Sequence, residues 1–144
     1  MLILLANAAA TLFMLGLIWF VQVVHYPLFA GVGRDGFIGF HAAHSRLTTV
    51  VVGPPMLLEA ITAALLVVAR PSVVPAAAAW CGLGLVGVIW LSTALLQVPN
   101  HSLLAAGLAP DAIRALVAGN WVRTVAWTAR GALVLWLLAR AMAQ

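Results

Sequence analysis

Four stretches of this chain run for roughly twenty residues or more with very little to hold water: about Leu2–Tyr26, Phe40–Ala69, Ala76–Val98 and Trp121–Ala141. A helix crossing a hydrocarbon layer of ~30 Å needs roughly 20 apolar residues, so each stretch is long enough to span one. Backbone N–H and C=O groups cannot be left unpaired in hydrocarbon, and a helix pairs them within the segment. Composition agrees: 7% of the residues are charged and 65% are hydrophobic, whereas a soluble domain carries about a quarter charged residues. The expectation is a single all-α domain over residues 1–144. It would be an integral membrane four-helix bundle, up-down-up-down, in a bacterial-type inner membrane, with both termini on the same side.

Punctuation between the stretches refines this. Pro27 is expected to end the first helix, because it disfavours helical geometry in the residue before it. The first stretch lacks a basic n-region and a clear cleavage site, which predicts a retained helix rather than a signal peptide. Pro54-Pro55 removes two amide donors and predicts a bend near Val50–Gly53. Ala78, Gly82, Gly84 and Gly87 would let a neighbour approach the third helix closely, and Pro99 would end or kink it. Pro110-Asp111-Ala112 opens a short amphipathic helix, which Gly119-Asn120 would separate from the fourth. Cys81 is the single cysteine, which excludes an internal disulfide. All seven cationic residues are arginines, spread along the chain. They read as anchors to lipid headgroups, not as a nucleic-acid footprint. Membrane lipid is the expected partner, with a homo-oligomer or a larger membrane complex as the assembly.

Polar residues in such surroundings are costly and usually face a bundle interior or a cavity. The densest set is His41-Ala42-Ala43-His44-Ser45-Arg46, continuing to Glu59. With alternating helices, His25, His41, His44 and His101 all fall toward one end. Gln22 and Gln97 each sit about one turn before a histidine, and Asn120, Arg123, Trp127 and Arg130 share a helical face. Four imidazoles arriving from three helices suit a transition metal. Iron or copper is favoured, with zinc also possible and haem b, held by two of the histidines, as the alternative. Gln22, Gln97, Asn120 and Arg123 would then orient the ligands or bind substrate. Glu59 and Arg130 each lie ten residues from the opposite end of their helices, which predicts a buried ion pair.

Val98-Pro99-Asn100 at the end of the third helix and Asn120-x-x-Arg123 at the start of the fourth resemble the anthrone-oxygenase-like family of small four-helix membrane proteins. Members associated with anthrone oxidation insert oxygen into an aromatic polyketide. The resemblance implies an oxidative membrane enzyme, with Asn100, Asn120 and Arg123 as pocket residues.

The resulting expectation is a membrane-embedded, metal-dependent oxidoreductase or oxygenase acting on a small or lipophilic substrate. The rival readings are a non-catalytic subunit that scaffolds a larger membrane complex, and a b-type haem protein. No Ser/His/Asp order, glycine-rich phosphate loop or cysteine pair supports hydrolase, nucleotide or thiol chemistry.

Overall fold

The structure is a computed structural model and describes residues 1–143. Among them there are no strands, and four long apolar helices make up the chain: α1 (Leu2–Gly31), α2 (Arg34–Val68), α3 (Ala76–Ala105) and α4 (Pro110–Met142). Each is long and apolar enough to cross a membrane.

Four boundaries differ from expectation. Helix α1 is not ended by Pro27 but continues as a 3-10 turn to Gly31. Helix α2 begins at Arg34 rather than near Phe40, so its charged first turn is part of the helix. Helix α4 runs unbroken through Gly119-Asn120, and no separate amphipathic helix exists. Asn120 is fully buried and hydrogen-bonded across the bundle, and this packing offsets the weak helix propensity of the Gly-Asn pair. Nor does Pro99 end α3, which continues to Ala105.

The two internal prolines nearest the site are accommodated by the same device. Val21–His25 and Thr93–Gln97 are π-helical, each ending two residues before a proline. A proline ring clashes with the carbonyl four residues back and supplies no donor to it. A wider π turn precedes each proline, as in the bond from the Tyr26 amide to the Val21 carbonyl at 3.0 Å. One extra residue per turn also re-aims the side chains that follow. Pro54 and Pro55 lie inside the continuous helix α2.

The interior is layered. One apolar cluster gathers Met14, Ile18, Phe29, Phe37, Met56, Ile89, Leu104, Leu116 and Trp127. A smaller one holds Leu4, Leu66, Val73, Val74, Ala78, Ala79 and Leu137. On α1, α2 and α4 a buried polar layer falls between them, built on Asn7, Thr11, Glu59, Thr62 and Arg130. The outer surface carries large apolar side chains such as Leu57, Ile61, Leu95 and Val125.

Close helix approach occurs only partly where the small residues suggested it. Gly84 and Gly87 face open space, whereas a Cβ at Gly82 would touch Arg130 Nη1 at 3.4 Å. The tightest contact is elsewhere: a Cβ at Gly131 of α4 would lie 2.5 Å from Leu15 Cδ2 of α1. Gly131→Val is therefore expected to lower stability by about 1–3 kcal/mol through overpacking. Gly84→Ala is expected to be neutral or to stabilise by up to about 1 kcal/mol. Unfolding midpoints of the two variants in one detergent check the contrast.

Candidate functional site

The polar layer between the two apolar clusters is a closed network. Glu59 and Arg130 are each 1% exposed. Arg130 Nε donates to Glu59 Oε1 at 2.8 Å, as does Thr11 Oγ1 at 2.7 Å, and Trp127 Nε1 donates to Oε2 at 2.9 Å. The remaining guanidinium nitrogens reach the Gly82 carbonyl, Asn7 Oδ1 and Thr11 Oγ1. All four helices contribute. A charge in such a place is tolerable only when paired and fully hydrogen-bonded, and here the set leaves no group free for a substrate. Its role is to hold the helices in register beneath the second polar region.

That region is the histidine cluster. His41 and His44 are buried on α2, one turn apart, while His25 on α1 and His101 on α3 are half-buried. Ring centroids stand 4.7 Å apart for His25–His44, 5.3 Å for His41–His101 and 5.4 Å for His44–His101. The four rings thus meet, but as two hydrogen-bonded pairs. His25 Nε2 lies 2.7 Å from His44 Nδ1, and His41 Nε2 lies 3.0 Å from His101 Nδ1. Phe29 seals the cluster edge-on, 4.9 Å from His44 and 5.3 Å from His25.

Tyr26 links this cluster to Arg123. Arg123 Nη2 donates to the Tyr26 hydroxyl at 3.4 Å, and that hydroxyl lies 3.2 Å from His101 Nε2. With its oxygen accepting from the guanidinium, we assign the hydroxyl proton to His101 Nε2. His101 then carries hydrogen on Nδ1 and donates to His41 Nε2. The result is a continuous chain of donors from Arg123 to His41.

Most of the polar residues picked from the sequence stand around this chain. Asn120 Oδ1 accepts from Arg123 Nε at 2.9 Å and Nη2 at 2.6 Å, and its Nδ2 donates to Gln22 Oε1 at 2.8 Å. Gln22 Nε2 in turn donates to the Val117 carbonyl. Gln97 is 2% exposed and neither end of its amide has a hydrogen-bond partner among the described residues. Asn100 is not brought in: its Nδ2 donates back to the Leu96 carbonyl at 2.7 Å, and it lies outside the pocket. Gln97, the last residue of the π turn, takes the inward position.

Beside the histidines lies a cavity of about 420 Å³. Tyr26, His44, His101, Gln97 and Arg123, with the hydroxyls of Ser45, Thr48, Thr49 and Thr93, supply its polar lining, and Val52, Met56, Leu57, Trp90 and Val98 its apolar walls. A second cavity, of about 330 Å³, is lined by His41, His101 and Ser102 among others, so His101 borders both. Sequence reasoning missed Tyr26 and Thr93 as site residues. The chain's single tyrosine, next to a histidine and just before Pro27, was the available signal for the first.

The donor set can be tested against a metal. Two imidazole nitrogens about 2.0–2.1 Å from a tetrahedral ion stand roughly 3.3–3.4 Å apart. The facing nitrogens are closer, at 2.7 and 3.0 Å, and among the described residues no three His, Cys, Asp or Glu side chains are already set as a ligand group. Ligation would need each pair to part by about half an ångström and the bridging proton to move to the outer ring nitrogen, changes within side-chain reach. A haem with two axial imidazoles needs about 4 Å between nitrogens with the porphyrin in the gap, which neither facing pair provides. Among known proteins, no family model, no curated protein and no solved structure matches this chain, so the geometry alone carries the reading of the site.

Proposed function

We propose that the chain is an integral membrane protein whose four helices cross the bilayer in alternating directions, and that it acts as a metal-dependent oxidoreductase on a lipophilic substrate. The observation that supports this most is the convergence of four imidazoles from three apolar helices beside a pocket. Buried polar groups at such depth are retained where they bind something. His25, His44, His41 and His101 would hold the ion, and the all-nitrogen donor set favours iron or copper, with zinc also accommodated.

Such an ion would supply electron exchange with dioxygen as the acceptor. The substrate would give up two electrons and two protons, and dioxygen would take both and leave as hydrogen peroxide. The chain's own residues have separable tasks. The apolar walls exclude water from the pocket. Arg123, fixed by Asn120, presents fixed positive charge at the reacting end. Tyr26, hydrogen-bonded to Arg123 and to His101 Nε2, would hold a proton at the polar end of the pocket.

Elemental analysis of the protein purified without added chelator tests the reading. About one iron or copper per chain, with oxygen consumption on adding a lipophilic reductant, is the expected result. Protein that takes up neither metal on reconstitution and consumes no oxygen would overturn it.

A further inference from the structure

Two arginines are buried, and they are partnered very differently. Arg130 has a carboxylate, whereas Arg123, 7% exposed, has only neutral partners among the described residues: Asn120, Tyr26 and Thr93. The chain's three acids are Asp35, Glu59 and Asp111; Glu59 is committed to Arg130, Asp111 pairs with Arg114, and Asp35 is exposed in the first turn of α2. Arg123 lines the large cavity together with Gln97, whose amide is buried and unpaired at both ends. A buried cation and a buried unpaired amide each carry a cost that a ligand's acceptor atoms would remove. Beyond these two the lining carries Tyr26, His44, His101 and four serine and threonine hydroxyls, and its apolar part reaches the outer surface between α2 and α3, where Leu57 and Val98 are each 54% exposed and Trp90 39%.

We infer that the cavity binds an amphiphilic anion: an oxyanion head on Arg123 and Gln97, with an alkyl tail leaving between α2 and α3 along Met56, Leu57, Trp90 and Val98. The planar guanidinium matches a carboxylate or phosphate fork, and a cavity of about 420 Å³ falls in the range of small-molecule sites. The outlet lies on the apolar face of the bundle, so the ligand enters sideways from the bilayer. This names the substrate class of the site and rests on the reading of the pocket as a lipophilic one, but it does not depend on the metal.

The test uses the full chain in phosphatidylcholine nanodiscs, titrated calorimetrically with dodecanoate and with dodecanol. Dodecanoate is expected to bind roughly 10- to 100-fold more tightly than the alcohol, the worth of a charge-assisted pair. Arg123→Gln should remove that preference while leaving bound metal unchanged. Because Arg123 also ties α1 to α4, a second variant guards against misfolding. Thr49 lines the cavity, is exposed and bonds only to the Ser45 carbonyl of its own helix, so Thr49→Phe should fill the cavity and weaken dodecanoate by at least about tenfold with the fold intact. Doping the discs with phosphatidate separates the two sources of such an anion. Displacement of dodecanoate assigns a membrane lipid, and lack of displacement assigns a free amphiphile; both uphold the inference. Equal affinity for dodecanol, or no dodecanoate binding by well-folded protein, overturns it. Loss of metal in His44→Ala with dodecanoate still bound would show the two claims to be separable. Metal without anion binding would leave the oxidoreductase reading standing alone.

Discussion

Glu59→Ala is expected to destabilise the folded chain by about 3–5 kcal/mol, because it strands the buried Arg130 guanidinium without its anion. The same change removes the acceptors of Thr11 Oγ1 and Trp127 Nε1, both fully buried. The paired replacement Glu59→Leu with Arg130→Met should recover the part of the loss due to the stranded charge, since apolar groups of similar volume need no partners, while Trp127 Nε1 stays without its acceptor. Midpoints of unfolding in mixed micelles, read by tryptophan fluorescence, give both values. A single variant as stable as the parent would mean that the layer binding all four helices contributes nothing to the fold. A double variant no better than Glu59→Ala would place the cost in lost packing rather than in stranded charge.

His44→Ala is expected to lower metal affinity at least about 100-fold, in line with loss of a ligand rather than of a supporting group. His44 occupies the centre of the cluster: it pairs with His25, stacks against His101 at 5.4 Å, and is the histidine on α2 that lines the large cavity. Phe29→Leu, which keeps the seal apolar but removes the edge-on ring, should leave metal content within about threefold, since it takes away no donor. Metal content per chain after dialysis against a weak chelator distinguishes the two. Equal retention in His44→Ala and the parent would move the ion away from this cluster.

How much of this was legible in the sequence differs by feature. The four apolar helices were, because twenty-residue apolar runs leave the backbone few alternatives. The facing of Glu59 and Arg130 was legible too, since equal distances from opposite helix ends place two charges at one level, and the structure puts them 2.8 Å apart. The course of α1 and α3 past their prolines was not. A π turn changes the phase of every later side chain, so spacing rules calibrated on 3.6 residues per turn misplace what lies beyond Val21–His25 and Thr93–Gln97. This is why Tyr26 took an interior place that no stripe predicted. Gln97 faces the pocket as its spacing from His101 suggested, whereas Asn100, named from the resemblance alone, bonds back to its own helix. The continuity of α4 through Gly119-Asn120 escaped notice for a different reason. Propensity argued for a break, and the cross-bundle bond from Asn120 to Gln22 prevailed.

The pairing of the imidazoles also lay beyond pattern reading. Periodicity assigns a residue to a face and a depth, but ring rotation decides which nitrogens meet. In the structure that rotation gives two short hydrogen bonds, so metal binding would require a small parting of rings already gathered in one place.

X-ray absorption at the metal edge of the purified, metal-loaded chain tests that claim most directly. The account predicts a first shell containing at least three imidazole nitrogens at about 2.0–2.1 Å, with the outer-ring scattering that imidazole produces. A shell made of oxygen donors, or one with a single imidazole, would contradict it.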